Sequence, residues 1–406
     1  MTDNLPEKTR KWFIFVIIYL AIDYVRLQDV IPFLGYIKPG MLVVLILAFF
    51  FIFQGNIHYV DSRQTRMIAL FVLLLMAYVP FAINNFFAWT AFKTMLLYIP
   101  FILSVIFCVN SMDRLKSFIF ALVCIMIYIS FYSLMHAGRG SGGYFRDEND
   151  LSLFVNMWIP FCYFLFLTEK ERLKKVLYAF GFAIGIISVV VSFSRGGFVG
   201  LIAMSAVLWY FSPRKVLTLT VAVVCALTIY MWSGDEYLQE MSTVTNMQEQ
   251  TANIRIESWK SAWYMFLDHP LGVGGNNFQV KFPQYQTDKF PRGMWGRVAH
   301  SIWFTLIPET GIVGILIFFS LLRYNIKDIF LIKRLSVLQN DADDRYLYHV
   351  SLAMIASLAG FFASATFLSV LYYPHYWYMT AIIVAAARLA KKKKETRALE
   401  VAEMAA

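Results

Sequence analysis

Charge is scarce in this chain of 406 residues: Asp, Glu, Lys and Arg together make up 15% of it, and six residues are histidine. Soluble domains carry about 25% charged residues, so the shortage argues against a water-soluble protein. Cysteine is scarce as well. Cys108, Cys124, Cys162 and Cys225 show no paired spacing and no neighbouring histidine, a pattern that points to neither a disulfide framework nor a zinc site. The chain has no Pro-rich or Ser-rich linker, no internal repeat and no low-complexity tract other than Lys391–Lys394. What fills it is apolar: 59% hydrophobic residues, 38 Phe and a mean hydropathy of +0.60. The net charge of +10 would suit nucleic acid. The basic residues, however, sit in short loops between apolar runs, which is how topology is set in a membrane, and nucleic-acid binding is rejected.

The runs recur from Trp12–Ile22 to Tyr376–Ala390, the ninth at Val216–Trp232 and the tenth at Ser301–Leu322. They predict an all-α integral membrane protein of about twelve transmembrane helices, a single polytopic domain over residues 1–406. Lys8, Arg10 and Lys11 precede the first run with no small-residue cleavage site after it, so it reads as an anchor rather than a removed signal. An even number of spans puts both termini on one side. Lys170, Arg172, Lys174, Lys175, Arg214, Lys215 and Lys391–Lys394 all fall on that side, and nothing basic lies between Val370 and Tyr376 on the other. The excess of cations marks the cytoplasm, which gives cytoplasmic termini, a cytoplasmic tail over 391–406 and an extracytoplasmic loop over 233–300, between the ninth and tenth spans. Two shorter segments, Ala137–Asp150 and Phe193–Arg195, share that outer side. Within the loop, Trp259, Ala262, Trp263, Phe266 and Leu267 recur at helical spacing and predict an amphipathic helix on the membrane surface.

The outer rim gathers the residues that could carry chemistry. Arg195 precedes Gly196-Gly197 at the start of a predicted helix. A cation is disfavoured at the positive end of a helix dipole, whereas backbone N–H groups plus a guanidinium make a phosphate site. Arg255 opens the predicted surface helix, and Arg297 lies one turn before His300. His300 sits where the loop meets the tenth span, and histidine is the most frequent general base. Phe145-Arg146-Asp147-Glu148-Asn149-Asp150 enters the sixth span with residues that favour a helix start. Glu309-Thr310-Gly311-Ile312-Val313-Gly314 interrupts the tenth span; its Gly311 and Gly314 are expected to permit close helix packing, and Gly272-Val273-Gly274-Gly275-Asn276-Asn277 to form a turn. No two-histidine metal spacing exists, and no metal or cofactor is expected.

Taken together, Ser194-Arg195-Gly196-Gly197, Arg255-Ile256-Glu257-Ser258-Trp259 leading to Asp268-His269-Pro270-Leu271-Gly272-Val273-Gly274, and the stretch from His300 to Gly314 resemble the O-antigen ligase and polymerase superfamily of bacterial inner-membrane proteins. The resemblance implies a GT-C-like glycosyltransferase with a periplasmic active site. It would move a glycan from undecaprenyl diphosphate to a hydroxyl of lipid A-core without metal. A carrier-linked repeat as acceptor, as in the polymerases, is the alternative, and a small-solute transporter is the competitor from another class. Carried over residue by residue, His300 would be the general base, Arg195 and Arg255 would hold the diphosphate with Arg297 beside them, and Arg146, Asp147, Asn149 and Glu257 would be auxiliary. The partners implied are the carrier-linked glycan, the acceptor and membrane lipids.

Overall fold

The computed structural model describes residues 9–213, 215–216, 250–286, 297–338 and 341–405, with no strand among them. Thirteen helices of eight residues or more occur among the described residues. They are α1 (Arg10–Val25), α2 (Pro39–Gln54), α3 (Arg63–Tyr78), α4 (Asn85–Cys108), α5 (Met112–Met135), α6 (Glu148–Thr168) and α7 (Arg172–Val191). After these come α8 (Arg195–Phe211), α9 (Gln250–Asp268), α10 (Phe278–Tyr285), α11 (Ile302–Ser336), α12 (Ala342–Ala365) and α13 (Pro374–Ala405). Every predicted apolar run overlaps one of them except Val216–Trp232, which lies outside the described residues from position 217 onward. Seven helical stretches among the described residues are long and apolar enough to cross a membrane, and α8 is a shorter apolar helix. The chain is a multi-pass membrane protein.

Inside lipid, helices gain little from hydrophobic burial against one another and associate by close packing and interhelical hydrogen bonds. The centre of the bundle follows that rule. A Cβ at Gly200 of α8 would stand 1.9 Å from Ser364 Oγ and 2.8 Å from Gly360 O, both on α12. Asn156 of α6 donates from Nδ2 to Gly197 O of α8 at 2.7 Å. Gly181 and Gly185 let α7 approach Cys162 and Ile159 of α6 in the same way. Cys108 and Cys162 are buried core residues, unpaired like Cys124.

The long helix α11 is interrupted. Gly311 has φ 60° and ψ −166°, and the backbone groups freed by the break are taken up by residues 270–274. Ile312 N donates to Pro270 O at 2.9 Å, Val273 N to Pro308 O at 2.9 Å and Gly274 N to Glu309 O at 3.0 Å. A Cβ at Gly311 would lie 2.2 Å from the Leu271 carbonyl carbon, so only glycine fits. The expectation that Gly311 serves helix packing is therefore corrected: it opens a slot for a loop. The turn expected at Gly272–Asn277 is present, and it is this turn that fills the slot. Non-helical backbone at such a place is tolerated when neighbouring protein satisfies its polar groups.

Candidate active site

Three helices start at one end of the bundle. Asp147 caps α6, accepting from Asn149 N at 2.8 Å; Ser194 caps α8, accepting from Gly197 N at 2.9 Å; Ser301 caps α11, accepting from Phe304 N. The positive ends of their dipoles thus share one face of the molecule. The caps of α6 and α8 are joined, because Ser194 Oγ donates to Asn149 Oδ1 at 2.7 Å and Ser152 Oγ meets Ser192 Oγ at 2.7 Å.

His300 immediately precedes the cap of α11 and has φ 47°. The left-handed region costs a non-glycine residue roughly 1–2 kcal/mol, and such strain persists only where the surroundings enforce it. Here the neighbouring peptide is pinned: Ala299 is buried, and its carbonyl accepts from Trp259 Nε1 at 3.0 Å. Trp259 itself stacks on Phe304, ring centroids 5.2 Å apart. Burial, then the charges of Arg297 and Arg255, push the His300 imidazole down to about 4, and only Asp147 acts in the opposite sense. Arg297 is likewise lowered by burial and by Arg255. The structure therefore brings His300, Arg297, Arg255 and Asp147 within electrostatic reach of one another. The imidazole is neutral near pH 7, with a lone pair able to take a proton, beside two guanidinium groups.

Arg195 is the first residue of α8, as expected. Two chains of contact lead from the start of α8 to neighbours of the histidine. One runs from Ser194 through Asn149 to Asp147, whose Oδ1 accepts from Asn149 Nδ2 at 2.8 Å. The other runs through Gly196, whose Cβ would be 3.5 Å from Phe367 Cβ, to Trp259, 6.2 Å from the Phe367 ring.

Three sequence expectations need correction. Arg255 does not open the surface helix: α9 begins at Gln250, so Arg255 lies in its second turn and gains its place from proximity to His300 rather than from the helix end. Arg297 is not one helical turn before His300, because residues 297–300 are non-helical. The third concerns the helical carboxylates: Asp150 reads as part of a helix start, and its tyrosine partner is not foreseen. Asp23, Asp150 and Glu309 lie within α1, α6 and α11, and each accepts from a tyrosine of one short segment. Tyr378 reaches Asp23 Oδ2 at 3.2 Å, Tyr373 reaches Asp150 Oδ2 at 3.1 Å and Tyr372 reaches Glu309 Oε2 at 2.7 Å. Among the auxiliary candidates, Glu257 is ion-paired with Lys260 at 2.7 Å, and Arg146 is exposed at the end of the 3-10 turn Gly143–Arg146. Lys289 and Arg292 of the loop lie outside the described residues.

The fold and the rim define a helical membrane protein with a histidine and two arginines gathered at one end of its bundle. A family model described as O-antigen ligase matches residues 180–319. This segment, from α7 into α11, contains Arg195, Arg255, Arg297 and His300, and the match supports the O-antigen ligase superfamily. Members of that family are glycosyltransferase-like ligases and polymerases, which supports an enzyme. No curated protein is similar enough to count as a match.

Proposed function

We propose that the chain transfers a glycan from undecaprenyl diphosphate to a hydroxyl of lipid A-core at the periplasmic face of the inner membrane, crossing the bilayer twelve times with both termini in the cytoplasm. The observation that carries this reading is a neutral histidine, conformationally strained, flanked by two arginines whose charges reinforce each other. In the reaction the bond between the anomeric carbon and the diphosphate oxygen breaks, and a bond from that carbon to the acceptor oxygen forms. The hydroxyl proton passes to His300, and the diphosphate departs on its lipid. Arg255 and Arg297 oppose the charge that grows on the leaving group, with Arg195 at the dipole end of α8 assisting. Such stabilisation requires no metal.

A free imidazole near pKa 4 is a weak base. Binding a diphosphate between it and the arginines offsets the repulsion that depresses it, so the carrier itself raises the basicity of His300. The histidine becomes competent once the donor is in place. Asp147 acts in the same direction, which gives the outer start of α6 a supporting part. Arg146, Asn149 and Glu257 are left with positioning or solvated roles.

A polymerase would use the same carrier site and differ only in its acceptor. The two are separated by offering the purified protein a carrier-linked glycan with lipid A-core and a second carrier-linked glycan in parallel. We expect product on lipid A-core. Product exclusively on the carrier would convert the reading to polymerase, and no product on either would remove it.

A further inference from the structure

Beside the cationic centre lies a second polar region of opposite make-up. The connection from α12 to α13 and the first turn of α13 present Tyr372, Tyr373, His375 and Tyr378. The tyrosines bond Glu309, Asp150 and Asp23 as described, and no Lys or Arg is within ion-pair distance of these three carboxylates among the described residues. Glu309 is saturated, accepting also from Asn276 N at 2.8 Å and Phe278 N at 3.2 Å. Asp23 is not. It is half-buried, and its side-chain hydrogen bond among the described residues is the one from Tyr378.

His375 is 2% exposed. Its Nδ1 meets Tyr24 Oη at 3.2 Å, and its ring lies nearly parallel to those of Tyr24 and Phe145 at 5.6 and 6.0 Å. Its Nε2 is buried and has no hydrogen-bond partner. A buried polar atom without a partner costs about 1–3 kcal/mol, and Phe154 walls the same ring at 5.5 Å. Tyr144 is half-buried, with Arg26 6.0 Å from its ring centre, Tyr373 4.9 Å away and its hydroxyl 3.2 Å from that of Tyr98. Arg26 is answered by Asp29 at 3.1 Å.

The chemistry of this lining selects its ligand. An anion would meet carboxylates; a cation would meet Arg26. A neutral molecule rich in hydroxyl groups is matched throughout, since tyrosine hydroxyls both donate and accept, a carboxylate accepts from paired hydroxyls and a neutral imidazole nitrogen donates or accepts once. The region also adjoins the reactive centre. Tyr144 is three residues from Asp147, and Tyr373 bonds Asp150, one helical turn beyond it.

We infer that Asp23, Tyr144 and His375 form a subsite for a sugar ring of the carrier-linked glycan, next to the diphosphate held by the arginines. This deepens the proposed function and rests on it. The division of labour is by charge: phosphate to the guanidinium groups, polyol to the tyrosine and carboxylate lining.

The test compares two lipids, undecaprenyl diphosphate bearing the glycan and the same lipid without it, on wild-type protein and on Asp23→Asn, His375→Phe and Tyr144→Phe. Removing one charge-assisted hydrogen bond weakens binding about 10- to 100-fold. The expected result is a KM for the glycosylated carrier raised about tenfold in Asp23→Asn, with kcat within about twofold and affinity for the bare carrier diphosphate unchanged. The other two variants should move KM in the same direction, and they keep the question open to experiment should Asp23→Asn fold poorly. Unchanged KM in folded variants overturns the subsite, and so does equal weakening of both lipids, which would report a structural role. Wild-type protein that neither binds nor transfers the carrier glycan would overturn the underlying function and the subsite with it.

Discussion

Two clusters of charge, one at each end of the bundle, differ in make-up. Away from the candidate site, cations are answered by carboxylates. Lys393 pairs with Asp341 and, at 3.0 Å, with Asp344; Arg397 pairs with Asp341 and, at 2.6 Å, with Asp344. Lys116 pairs with Asp343 at 2.6 Å and Arg66 with Asp61. The pairs of Lys393 and Arg397 tie the extension of α13 to the start of α12, and Lys116 ties α5 to the same place. At the site end, Arg255 and Arg297 crowd each other, and both depress His300. Like charges within reach of each other at a half-buried rim disfavour each other and the protonated form of a histidine beside them.

The sharpest way to break this contrast is to remove the base. His300→Ala should lower kcat by about 10²- to 10⁴-fold in a transfer assay while gel filtration and carrier binding stay normal; full activity would take the histidine out of the mechanism. Next in size is Arg297→Gln. Losing one charge-assisted contact should weaken carrier diphosphate binding about 10- to 100-fold, whereas Arg397→Gln, at the far end, should leave binding within about twofold. Equal effects from the two would erase the distinction between the ends.

Much of this layout was legible beforehand. Apolar runs announced eleven helices found among the described residues, and Arg195 is read at the start of α8 because an apolar run begins just after it. Other features depend on partners distant in sequence. The break at Gly311 is stable because backbone from 270–274 supplies the missing bonds, and no pattern around Gly311 names that partner. The pairing of Tyr372, Tyr373 and Tyr378 with Glu309, Asp150 and Asp23 likewise exists only once the fold brings distant segments together. Arg255 was placed at a helix start because the apolar stripe begins at Trp259; the polar turn of α9 from Gln250 carries no such stripe.

A smaller effect should separate stability from activity. Asp344 is 3% exposed and answers two cations, so Asp344→Asn should cost on the order of 1–3 kcal/mol. It should lower the melting temperature and leave transfer per folded molecule unchanged; a drop in kcat would mean the far end communicates with the site. Smallest of all, a chelator should not alter the rate, and a rate restored by added metal would require a centre of a different kind.

The most direct measurement is the titration of His300 by its pH-dependent chemical modification, followed by mass spectrometry, with and without undecaprenyl diphosphate. The account predicts a midpoint near 4 in the free protein that moves upward when the lipid binds, because an anion beside the arginines favours the protonated ring. A midpoint that the lipid leaves in place would contradict it.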